Sequence, residues 1–135
     1  MGFVFQDADD QLFCPTVAED VAFGPRNLGC TAPEALKIVQ NTLEMLEIAH
    51  LERRITHQLS AGEKRLVGIA TALAMTPEVL VLDEPTAGLT EKAAKRVRKV
   101  LKRHVPALLL VCHDGKFLDK SVDRIWKLEN GRLRE

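Results

Sequence analysis

Val79-Leu80-Val81-Leu82-Asp83-Glu84 is the stretch on which the fold turns. Four consecutive apolar residues are too few and too uniform for an amphipathic surface helix, so they read as a strand buried on both faces, as in a parallel sheet. Two acids then emerge at its carboxyl end. Just upstream, Pro77 closes a helical pattern that opens at Ser60 and carries Leu66, Ile69, Ala70 and Leu73 on one side. Just downstream, a helix is expected over about Glu91–His104, with Ala93, Val97, Val100 and Leu101 inward and many Lys and Arg outward. That basic face reads as ordinary solvation. Ala107–Val111 reads as a second buried strand, with Cys112, His113 and Asp114 at its exit.

Further out the pattern continues. Residues 2–5 read as the end of an apolar strand that the polar run 6–11 stops, and an irregular stretch with Pro15, Gly24, Pro25 and Gly29 follows. Thr31-Ala32-Pro33-Glu34 forms a capping box, which starts a helix with Leu36, Val39, Leu43 and Leu46 as its apolar stripe until about Ile48. Residues 125–128 and then Asn130-Gly131 predict a closing hairpin, because Asn-Gly tolerates the positive backbone angles of a tight turn. Buried strands alternating with amphipathic helices imply an α/β sheet, whose ligands gather at the carboxyl ends of its strands. Gln6, Asp83, Glu84 and His113 all fall there.

Composition narrows the function. At 135 residues, 46% hydrophobic and 28% charged, the chain suits one core. Lys+Arg and Asp+Glu are both 19, so no basic field exists to hold a nucleic-acid backbone. The longest apolar runs, 79–82 and 105–112, fall far short of the roughly 20 residues that span a bilayer. Any membrane association is expected through a partner. Cys14, Cys30 and Cys112 form no C-x-x-C and read as small core or surface residues of a reducing cytoplasm.

Residues 79–84 have the form of a Walker B strand. A carboxylate fixed there can hold magnesium through its water shell, and a second can orient the attacking water and accept its proton. Apolar residues followed by Asp-Glu also arise by chance at strand ends, and it is their company that argues for chemistry. Leu59-Ser60-Ala61-Gly62-Glu63 combines a hydroxyl, a glycine permitting close backbone approach, and the amides that start a helix, which together suit an anion. The order of this loop, Pro77, the strand and then Pro85-Thr86-Ala87-Gly88-Leu89 resembles the ABC-type ATPases, whose signature loop is normally Leu-Ser-Gly-Gly-Gln.

That resemblance spans essentially the whole chain from the Q-loop onward. It implies an incomplete P-loop NTPase-like α/β parallel sheet with an inserted α-helical subdomain. Residues 1–30 would be the Q-loop and following segment, 31–77 the helical subdomain with the signature, and 78–135 the Walker B, D-loop, H-loop and C-terminal strands. It implies Glu84, His113 and Gln6 as catalytic residues, His113 being the switch histidine. Ser60, Ala61, Gly62 and Glu63 would bind ATP, and Asp83 with Gln6 would hold Mg2+. Histidines 50, 57 and 104 lack such context and read as surface or packing residues. The run from Asp7-Ala8-Asp9-Asp10-Gln11-Leu12-Phe13 to Asp20-Val21-Ala22-Phe23-Gly24-Pro25 is similar to the cobalt-transport and energy-coupling-factor branch. This favours a transporter over ABC-type ATPases of DNA repair or translation. The implied partners are another ABC ATPase subunit, in a homo- or heterodimer, and a transmembrane subunit, with the chain on the inner face of the membrane. The cargo, cobalt, another transition-metal ion or a vitamin, leaves no trace in these residues.

Three departures bear on activity. No G-x-x-x-x-G-K-[ST] occurs in the 135 residues, so the expectation is a piece truncated at its N-terminus, inactive alone and with Ala107–Val111 as an exposed apolar edge. Ala61 stands where the signature usually has glycine, and Thr90 where the D-loop usually ends in Asp, so reduced hydrolysis is expected. The alternatives are a non-catalytic interaction module that at most completes an ATP site in trans, or a remnant without function.

Overall fold

Strands β1 (Gly2–Val4), β2 (Val79–Asp83) and β3 (Ala107–Val111) form a parallel sheet in the order β1-β2-β3. The computed structural model describes residues 1–7 and 11–135. The Ala8-Asp9-Asp10 part of the transporter-like run lies outside the described residues. Phe3 pairs with Val81 and Val81 with Leu109, while Val4 pairs with Leu82 and Leu82 with Leu110. Since side chains alternate between the two faces of a strand, one face carries Val4, Leu80 and Leu82, all buried, and the other carries Phe3, Val81, Leu109 and Val111.

This second face is uncovered. Phe3 is 50% exposed, Leu109 51% and Val111 54%, so β3 is the exposed apolar edge expected above and not the buried strand that its composition alone suggests. Val79 is also exposed and Val81 half-buried, which corrects the reading of β2 as buried on both sides. The apolar run signalled a sheet designed for cover on both faces, and among the described residues only one face has it.

The covered face meets helices. α1 (Val17–Asn27) and α2 (Ala32–Met45) pack with each other and with α3 (Ala61–Ala74), which rests on β1. Val67, Ile69 and Ala70 of α3 join Leu80 and Leu82 of β2 and Val97, Val100 and Leu101 of α4 (Glu91–His104) in one buried cluster. The sheet is followed by α5 (Gly115–Ser121) and a hairpin of β4 (Lys127–Glu129) and β5 (Arg132–Arg134). Asn130 and Gly131 turn that hairpin with φ of 50° and 76°, as Asn-Gly predicts.

Several expectations change. The stretch containing Pro15, Gly24, Pro25 and Gly29 is not irregular, because most of it is α1. Thr16 and Glu19 form a second capping box: the Thr16 hydroxyl accepts from the Glu19 amide at 3.3 Å, and the Glu19 carboxylate accepts from the Thr16 amide at 3.3 Å. Pro25 lies in the last turn, where it forfeits a single helical bond with only two residues of α1 left to follow, and Gly24 lets the helix approach Met75 closely. α2 stops at Met45 because Glu47 turns into the left-handed region at φ 58°. Leu36, expected inward, is exposed. α5 was not anticipated, though Asp114 caps it through the Phe117 amide at 3.1 Å.

Candidate functional site

The chain leaves β2 through an unusual backbone. Glu84 has φ 47°, a left-handed conformation that costs a non-glycine residue about 1–2 kcal/mol. Two bonds hold it there. Its amide donates to the Val111 carbonyl at 2.7 Å, and its carboxylate accepts from the His113 amide at 3.1 Å. The same oxygen lies 3.4 Å from His113 Nε2. The residues after β2 and after β3 are thereby fastened together, with the Glu84 side chain 16% exposed and the imidazole of His113 98% exposed. Asp83, half-buried, occupies the last position of β2 opposite Val111, on the uncovered face of the sheet.

The loop before α3 is built on its own capping box. The Ser60 hydroxyl accepts from the Glu63 amide at 3.2 Å, and the Glu63 carboxylate accepts from the Ser60 amide at 2.8 Å. That backbone bond, more than any other cause, lowers the Glu63 carboxyl below its usual value. The Ser60 hydroxyl keeps its proton for donation to an anion. Gly62 meets Gly88 of the turn after β2: a Cβ on Gly62 would stand 2.8 Å from the Gly88 carbonyl oxygen. Gly88 itself adopts φ +76°. An open cleft of about 600 Å³ lies between these elements, bordered by Gln6, Asp7, Ala61, Lys64, Arg65, Ala87 and Gly88.

This arrangement, a helix start that borders an open cleft and a neighbouring strand that ends in two acids, coincides with the match of the ABC transporter family to residues 1–87. The chain belongs to that family. An ABC transporter ATP-binding protein of Brucella suis is 50% identical over 131 residues, covering 97% of this chain and 55% of its own length. The energy-coupling factor transporter ATP-binding protein EcfA of Methanothermobacter thermautotrophicus is 43% identical over 136 residues, covering 98% of this chain and 44% of its own. Among solved structures, cbiO1 of Clostridium perfringens, described as part of the ABC transporter complex cbiONQ, superposes with a TM-score of 0.84 at 38% identity. It covers 99% of this chain and 55% of its own. A dimeric bacterial ABC transporter cassette gives a TM-score of 0.77 at 26% identity over 90% of this chain and 55% of its own. The chain thus spans about half the length of the curated relatives it matches.

Within the ABC fold the expected site residues fall into two groups. Asp83, Glu84 and His113 come together at the ends of β2 and β3. Gln6, exposed just beyond β1, shares the cleft with Ala61, while Ser60, Gly62 and Glu63 form the first turn of α3. No group of three or more His, Cys, Asp or Glu side chains among the described residues is placed to hold a metal. Asp83 and Gln6 offer only oxygen donors, a set that fits magnesium, which takes one or two carboxylates and completes its shell with phosphates and waters. No described helix is long and apolar enough to cross a membrane.

Two residues that tie the end of β1 to α3 were not given that part by the sequence reading. Gln11 accepts from the Phe5 amide at 3.3 Å and donates to the Phe3 carbonyl at 3.3 Å and the Gly68 carbonyl at 3.2 Å, stitching β1 to α3. Arg65, buried in α3, donates to the carbonyls of Phe5 and Gln6. The signal for Arg65 was present: a cation on the stripe side of a helix whose neighbours Val67, Ile69 and Ala70 are all buried.

Proposed function

We propose that these residues form the signature-bearing part of an ATP-binding subunit that powers import through an ABC transporter of the energy-coupling-factor or cobalt type. The single observation that carries this reading is the fastening of Glu84 to His113 beside Asp83, with the signature helix abutting the turn that follows. Asp83 and Gln6 would hold Mg2+, which when bound offsets the charge of the ATP phosphates. Glu84 is placed to orient the attacking water and accept its proton, and His113 to donate a hydrogen bond to the terminal phosphate. Ser60, Ala61, Gly62 and Glu63 would present the hydroxyl and first-turn amides of α3 to phosphate oxygens. We divide the chain as 1–30, the Q-loop and following segment; 31–77, the helical subdomain; and 78–135, the acid-bearing strands. The subunit would pair with a second ABC ATPase and dock on a transmembrane subunit at the inner face of the membrane. Cobalt, another transition-metal ion or a vitamin is the cargo class, and the EcfA and cbiO1 relatives support it.

A second reading rests on the signature loop alone, since the first turn of α3, which Ser60 caps, borders the cleft independently of the acids after β2. The chain would then complete another subunit's site in trans through its signature, without hydrolysis of its own. One experiment separates the two. The chain is combined with the full-length EcfA relative, and Mg2+-dependent ATP hydrolysis is measured for Glu84→Gln and Ser60→Ala. Loss with Glu84→Gln supports hydrolysis at this chain's own acids. A stimulation that survives Glu84→Gln but disappears with Ser60→Ala supports completion in trans. Rates unaffected by both changes would refute both.

A further inference from the structure

Arg65 is the one buried arginine among the described residues, at 6% exposure, and it stands in the first turns of the helix that the signature loop opens. Its guanidinium reaches across to the end of β1. Nη1 donates to the Phe5 carbonyl at 2.6 Å, and Nη2 donates to the Gln6 carbonyl. These two carbonyls belong to consecutive residues, so the planar fork grips the backbone at the point where β1 ends and Gln6 departs. No lysine could do the same, since a single ammonium has no rigid second arm to match a second carbonyl.

The electrostatics are equally local. Burial disfavours the charged guanidinium, while the carboxylates of Asp7, Asp83 and Glu84 favour it. An arginine keeps its charge throughout the working pH range. Arg65 therefore places a permanent positive charge beside the candidate Mg2+-binding and water-orienting acids.

We propose that Arg65 is a positioning residue of the ATP site, the tether through which the signature helix sets the place of Gln6. The proposal rests on the ATPase reading above, and it adds a direction of coupling. Displacement of the start of α3 by an anion at Ser60 and Gly62 would be carried to the end of β1 through one side chain, without any contact between Gln6 and that anion.

The test uses Arg65→Gln and Arg65→Lys in the chain, alone and combined with the full-length EcfA relative. Amide hydrogen exchange is read on the chain itself. Arg65→Gln is expected to speed exchange at the Phe5 amide, which donates to Gln11 Oε1 at 3.3 Å beside the tethered carbonyls, about tenfold or more, with protection along residues 67–74 of α3 unchanged. Arg65→Lys is expected to fall between wild type and Arg65→Gln. In the combined sample, kcat is expected to drop by about tenfold with Arg65→Gln while KM for MgATP stays within about twofold. Unchanged exchange at the Phe5 amide would overturn the tether. A loss of protection throughout α3 would also overturn it, as a fold defect, and so would faster exchange with unaltered kcat. If no combination hydrolyses ATP, the proposed function fails and the exchange result still decides the tether.

Discussion

The contact between Gly62 and Gly88 can be tested by adding one methyl group. In Gly62→Ala the new Cβ would stand 2.8 Å from the Gly88 carbonyl oxygen, 3.8 Å from its carbon and 3.9 Å from Leu89 Cδ2. An ordinary carbon–oxygen contact is several tenths of an ångström longer. The close atom is backbone, held in a turn where Gly88 has φ +76° and the Leu89 amide donates to the Thr86 carbonyl at 3.0 Å. No side chain can rotate away, so the start of α3 and the turn must separate. Overpacking of this kind costs about 1–3 kcal/mol, from which alanine's better helix propensity recovers up to about 1 kcal/mol. With that recovery complete, the mid-range cost of about 2 kcal/mol leaves a net loss of about 1 kcal/mol, which at a urea m-value of about 2 kcal/mol/M lowers the midpoint by about 0.5 M. The assay is urea unfolding followed by far-ultraviolet circular dichroism at two protein concentrations. Gly115→Ala serves as the control, since nothing lies within 4 Å of its Cβ position. A Gly62→Ala midpoint equal to that of wild type would refute the reasoning, because it would mean that the helix start and the turn are not in contact.

Three further outcomes follow from the same structure. Replacing Leu109 and Val111 with lysine removes apolar surface from the open face and edge of the sheet, so sedimentation is expected to show weaker self-association than for wild type; a wild-type chain that is already a monodisperse monomer would contradict this. Burial, and then hydrogen bonding to and the charge of Asp20, push the Cys14 thiol from 9.0 to about 11, so at pH 8 it is expected to alkylate about 100-fold more slowly than in the urea-unfolded chain. Because that value is raised on folding, its contribution to stability is complete below about pH 9 and is lost as pH rises through about 11; equal alkylation rates in folded and unfolded chains would count against it. The Glu63 carboxyl is lowered on folding, chiefly by the Ser60 amide, so its capping bond contributes fully above the usual value of 4.5 and is lost as pH falls through the lowered one. Acid titration of helicity is expected to lose a component in Glu63→Gln, and identical curves would exclude the cap as its source.

The local signals were the legible ones. Thr31-Ala32-Pro33-Glu34 and Ser60 mark helix starts that the structure places at those residues, and Glu91–His104 and Ala107–Val111 match the observed elements end to end. Each rests on a pattern contained in a few neighbouring residues. α1 was missed because Gly24 and Pro25 outweighed the capping box at Thr16 and Glu19, although both breakers sit near the helix end. The acids at the end of β2 could be read as a candidate site, but not the left-handed turn at Glu84 or its bonds to Val111 and His113, which depend on β3 lying alongside. The burial of Arg65 could be read from its place on the helix stripe, but its partner could not, and Gln11 gave no such signal: each side chain bonds to backbone 57 or more residues away, and no pattern of types encodes such a pairing.

The open sheet face has a thermodynamic consequence. With Phe3, Phe5, Leu109 and Val111 about half exposed, the folding free energy of these residues becomes a linked equilibrium with any surface that meets that face. A partner present at 100 times its dissociation constant would add about 2.7 kcal/mol, a large share of the stability of an ordinary domain. The melting temperature of this polypeptide is then a titratable quantity, set by mass action as much as by its own core.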